Sequence, residues 1–191
     1  MSYPYSAGDV LEAADMNAVG LHLVTPTGVT NGTLDGATVT VGTTVSSVTV
    51  SGVFSANFDN YRIVMSGGTM SSSEDLKLKL GSSATGYYGF LVYGSATGAA
   101  TVLGAQRNNT SQFDWVGGGT AGQHGHVMVE VLSPFAATYT ELRNASYQNG
   151  DNFGTMQGEH RVASSFSAFT ILTSVGTMTG GKLRVYGYSN G

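Results

Sequence analysis

The chain has 191 residues, 41% of them hydrophobic and only 10% charged, with a formal net charge of −4 and no cysteine. Scattered charge without a basic patch excludes a nucleic-acid surface, which needs clustered Lys and Arg against phosphate. The missing cysteines exclude disulfides and thiolate metal sites. Ordinary soluble domains carry roughly 25% charged residues, so solubility here must come from Ser, Thr, Asn and the 28 Gly.

The opening "MSYPYSAGDVLEAADMNAVG" has neither a positive n-region nor a continuous apolar core, so no secretory signal is expected. No run approaches the roughly 18 apolar residues of a membrane span. Residues 1–24 carry the one helical pattern, with Leu11, Asp15, Ala18 and Val19 in and beside "EAADMNA", acidic residues at the start and Gly20 as the stop. So short a helix cannot stand alone in water, so it must dock on something. Residues 1–24 therefore read as an anchoring arm.

Residues 25–56 are rich in Thr, Val, Gly and Ser. Alternation at Val39 and Val41, and again at Val48 and Val50, predicts strands with small polar outer faces, forming either a neck or the first strands of the body. From residue 57 to 191 the pattern is β throughout. Tyr61, Ile63 and Met65 alternate against Arg62, Val64 and Ser66, and Leu76, Leu78 and Leu80 against Lys77 and Lys79. About eight to ten strands separated by Gly, Ser and Asn turns argue for a β-sandwich or jelly-roll body. The long polar stretch 144–165 predicts a crossing, Greek-key connection.

In "GGGTAGQHGHVMVEVLSPF" the strand 126–132 puts Val127, Val129 and Val131 on one face and His126, Met128 and Glu130 on the other, with His124 extending the second face. Gly118, five residues, His124-Gly-His126, three residues and Glu130 resemble the first motif of the cupins. That resemblance implies His124, His126 and Glu130 as metal ligands, and so a metal-dependent enzyme. Ala137 stands where the motif's last Gly belongs, and no His follows a Pro-x-Gly turn to supply the second motif. Read from the residues alone, these side chains form a solvated or intersubunit polar face, with no cofactor and no catalytic residue. Asp114, Glu130, Glu141 and Glu159 show no spacing that recommends paired-carboxylate chemistry.

Tyr87, Tyr88 and Trp115, with Asn108 and Gln112, are aromatic and amide groups of the kind that stack on and hydrogen-bond sugars. They make a free carbohydrate-binding module the alternative reading. The leading one rests on a broader resemblance. "YPYSAGDVLEAADMNAVG", with Ala7 to Leu11 and Asp15 to Ala18, resembles the amino-terminal segment of bacteriophage virion proteins. "FDNYRIVMSG", "LKLGSSATGYYG", "VLSPF" and "GGKLRVYGYSNG" resemble the β domains of phage fibres, head fibres and decoration proteins. The resemblance implies a non-enzymatic structural protein of the virion, made in the host cytoplasm. It implies a homotrimer held to other virion proteins through Val10, Leu11, Met16 and Val19, with host-surface glycans as a further partner. Residues 25–56 leave little room for a shaft, which points to a head decoration or a short fibre.

Overall fold

The computed structural model describes residues 20–98 and 101–189. The expected short helix and the expected anchoring residues Val10, Leu11, Met16 and Val19 lie outside the described residues.

Among the described residues all regular structure is β. The Thr/Val-rich segment supplies β2 (Gly28–Thr30), β3 (Gly32–Asp35), β4 (Thr38–Val41) and β5 (Ser47–Ser51), preceded by β1 (His22–Val24). Val39, Val41, Val48 and Val50 point inward and Thr and Ser outward, as a period of two requires. β6 (Asn60–Ser66) and β8 (Glu74–Leu80) bury the faces expected of them, and the two-residue β7 (Thr69–Met70) lies between them. β9 (Tyr87–Ser95), β10 (Val102–Thr110), β11 (Phe113–Gly119) and β12 (Gly125–Leu132) follow. Then come β13 (Thr140–Asn149), β14 (Asn152–His160), β15 (Ala168–Thr173), β16 (Met178–Thr179) and β17 (Lys182–Tyr188).

The stretch 144–165 is a hairpin rather than a crossing loop. β13 and β14 pair from Thr140 with His160 to Asn149 with Asn152, with one register shift between Asn144 and Tyr147, around a two-residue Gly150–Asp151 turn. The composition looks loop-like because only a few of these side chains, Leu142, Tyr147 and Met156 among them, reach the core. Backbone pairing with β9 and β12 holds the rest.

Fifteen strands form one continuous sheet, with β7 and β16 as a separate two-stranded ribbon. The expected division into two separate sheets is absent, because the sheet branches at β12. One edge of β12 carries β6 from Val127 to Leu132. The other edge is shared: β11 takes Gly125 to Val127, and β13 takes Val129 to Leu132. Beyond β11 the order runs β8, β15, β5, β2, and beyond β13 it runs β14, β9, β10. On the β6 side lies β17, which pairs with both β1 and β4.

Glycine makes the branch possible. β13 shifts register between Asn144 and Tyr147, and its later half passes across β11. A Cβ on Gly118 would collide with the carbonyl oxygens of Gln148 and Glu74, and one on Gly117 with that of His126. All seven residues of β11 are buried. Only bare backbone fits between two neighbours that close.

The arms enclose one core. The loop from β5 to β6 carries Phe54, whose ring centre lies 4.8 Å from that of Tyr61 on β6 and 5.8 Å from that of Phe169 on β15. Leu76, Leu78, Leu80, Ile63, Ile171, Leu183 and Val185 belong to the same buried cluster. Each large side chain buried in it contributes about 1.5–3 kcal/mol.

Candidate functional site

The branch leaves a broad outer face. Glu130 on β12 stands opposite Arg62 on β6, which stands opposite Tyr186 on β17 and, through it, Leu23 on β1. In the other direction Glu130 faces Arg143, then Gln157, Phe90 and Gln106 on β10. One transverse row thus crosses eight strands, about 34 Å at the usual strand spacing. Along it runs a groove of about 580 Å³, lined by Arg62, Phe90, Val92, Met128, Glu130, Arg143 and Gln157 among others.

At its centre the Glu130 carboxylate accepts a hydrogen bond from Arg62 at 2.6 Å and one from Arg143 at 2.8 Å. The Arg62 hydrogen bond, and after it Arg143, holds this carboxyl below the usual carboxylate range despite partial burial. The flanking surface is apolar: Phe90 is 52% exposed and Met128 43%. Val92 and Phe153 are exposed as well.

A group whose folded pKa is depressed stabilises the fold above its unfolded pKa of about 4.3, and that stability is lost as pH falls through the lower folded value. Glu130→Gln should therefore be less stable than the parent chain at pH 7, and the gap should be smaller at pH 3, below the unfolded pKa of about 4.3. Urea unfolding at both pH values checks this, and an unchanged gap at pH 3 would remove the linkage.

The cupin expectation fails on geometry. His126 and Glu130 lie four residues apart on one strand, about 13 Å, and both Glu130 oxygens are held by arginines. Among the described residues no three His, Asp or Glu side chains converge for a metal. His124 and His126 do stay together, with ring centres 5.9 Å apart beside β13. The Gly between them, Gly125, packs on Met70, whose side chain a Cβ would have to displace, since it would lie 2.6 Å from the sulfur.

The expected glycan-binding set is not brought together. Tyr87 is fully buried, its hydroxyl receiving the Leu80 N–H at 2.9 Å, and Trp115 is 4% exposed beneath the Arg107 guanidinium. Neither ring has a face free for a sugar. Tyr88 and Gln112 are half-buried, Tyr88 under Arg161, while Asn108 is exposed.

Two buried polar groupings escaped the sequence reading. Asp114 is paired with Arg107 and, at 3.1 Å, with Lys77. Next to it Trp115 takes a left-handed backbone conformation, φ 64°, and its carbonyl accepts a 2.6 Å hydrogen bond from Asn144. His160 is fully buried beside Tyr87 and Phe166, its Nε2 3.1 Å from the Thr85 carbonyl, and burial pushes its pKa down. Both tie loops and strands together. Their only sequence signal was a charged or imidazole side chain within a strand-forming run.

Comparison with protein-family models, with curated proteins and with solved structures gives no match. No helix among the described residues is long and apolar enough to cross a membrane.

Proposed function

We propose that the chain is a non-enzymatic structural protein of a bacteriophage virion, a head decoration or short fibre. The amino-terminal arm expected over residues 1–24, the last three of which form β1 of the body, holds it to other virion proteins, and the β body projects as a homotrimer. A sandwich-like body is supported by Phe54, which lies between the arm that leaves β12 through β6 and the arm that leaves it through β11.

The observation that carries this reading is the outer face. A continuous hydrogen-bonded sheet presents Phe90, Val92 and Met128 half-exposed around one ion-pair cluster. Such a surface suits contact between subunits, where apolar centres are buried and net charge stays low. Host-surface glycans would then meet the exposed amide of Gln106 on the edge strand β10.

Light scattering on the eluted full-length chain should give a mass near three chains. Phe90→Glu, which alters an exposed side chain, should shift that mass to one chain while leaving the far-UV spectrum unchanged. A monomeric parent chain at micromolar concentration would overturn the trimer. Removing residues 1–19 spares β1, so a folded trimer that no longer joins particles is expected. Normal incorporation of the truncated chain would overturn the anchor.

A further inference from the structure

We propose that His124 and His126 form a two-imidazole chelate for a borderline divalent transition-metal ion such as Cu²⁺ or Ni²⁺, bound through their Nδ1 atoms. This site is independent of the virion reading and of the cupin motif, since Glu130 takes no part in it.

The argument starts from the tautomers. His126 Nε2 lies 2.9 Å from the Ser146 carbonyl oxygen. A carbonyl oxygen only accepts, so Nε2 carries the proton and the Nδ1 lone pair is left over. His124 Nε2 lies 3.1 Å from Gln148 Oε1. The orientation of that amide is set by its other end, where Gln148 Nε2 donates to the Gly150 carbonyl at 3.3 Å. The oxygen therefore faces His124, whose Nε2 also carries the proton.

Both rings are thus held in the same tautomer by acceptors on β13. Metal-ligating histidines are oriented in this way, with the distal N–H fixed by a carbonyl or amide oxygen.

Reach is the second condition. The two residues are i and i+2 on an extended segment, so their side chains leave on the same side. Metal–nitrogen bonds of about 2.0–2.1 Å allow one ion to join rings whose centres are up to about 6.4 Å apart. The observed 5.9 Å, with planes inclined by 31°, lies inside that limit. The patch is an open groove walled by Tyr147, Phe153 and Gly154, which leaves room for water to complete the coordination. Imidazole nitrogen without thiolate favours copper, nickel or zinc over magnesium or calcium.

The test is calorimetric titration of the full chain, first with Ni²⁺ alone and then with Cu²⁺ alone. About one ion per chain is expected. His124→Gln and His126→Gln should each weaken binding by at least about tenfold, whereas His22→Gln and Glu130→Gln should change it less than about twofold. Electron paramagnetic resonance of the Cu²⁺ form should show splitting from two imidazole nitrogens. Nitrogen NMR of the metal-free chain gives a check that needs no variant, since both rings should appear as the Nε2–H tautomer. Nδ1–H rings, affinity unchanged in both histidine variants, or loss of binding in Glu130→Gln would each overturn the proposal.

Discussion

Gly118→Ala is expected to destabilise the protein by more than about 3 kcal/mol, a large part of the roughly 5–15 kcal/mol that holds a typical domain folded. The added methyl group would strike the Gln148 carbonyl and come within 2.6 Å of the Glu74 carbonyl. Both belong to strand backbones that cannot swing aside as a flexible side chain can. Relief would require β13 to lift from β11, exposing the faces of Trp115 and Tyr147 and breaking the Asn144 bond to the Trp115 carbonyl. Gly28→Ala is the matched control. Its Cβ meets nothing within 4 Å and its φ is not left-handed, so stability should stay level or rise by up to about 1 kcal/mol. Denaturant unfolding of both variants decides the matter, and comparable midpoints would show that β11 does not need a bare backbone there.

Phe54→Ala should cost about 3–5 kcal/mol, the range for deleting a buried aromatic ring. Phe54 sits where the chain crosses between the two arms, touching Tyr61 on one and Phe169 on the other. Its backbone N–H and that of Val53 donate to the Ser167 carbonyl, so the loop cannot collapse freely into the cavity. The adjoining Tyr61 hydroxyl receives the Ser55 N–H at 2.8 Å and donates to the Ser55 carbonyl at 2.9 Å. Tyr61→Phe removes only those bonds and should cost about 1 kcal/mol. If Phe54→Ala cost no more than Tyr61→Phe, the ring would not be the wedge between the arms.

The outer face was partly legible. Period-two alternation placed His126, Met128 and Glu130 opposite Val127, Val129 and Val131, because a strand's pleat depends on nothing beyond the strand itself. Which side chains meet across strands was not legible. Arg62 and Arg143 are 68 and 13 residues from Glu130 in the chain, and only register brings both to it. The same gap explains the glycan expectation. Tyr87 and Trp115 read as surface aromatics beside Asn108 and Gln112, yet Tyr87 lies on the inward face of β9 with Leu91, and Trp115 is buried where β11 shifts register between Phe113 and Gly117. The β13–β14 hairpin was missed because pairing with β9 and β12 supplies what its polar side chains do not.

The sequence by itself determined the β character, the inward faces of the strands expected from alternation, and the absence of thiol chemistry. These follow from local sterics, burial and composition. Tertiary structure alone decided the branch at β12, the eight-strand face, the parting of Glu130 from the histidines and the common tautomer of His124 and His126. Each depends on which backbone atoms lie side by side, and that is a property of register between distant strands.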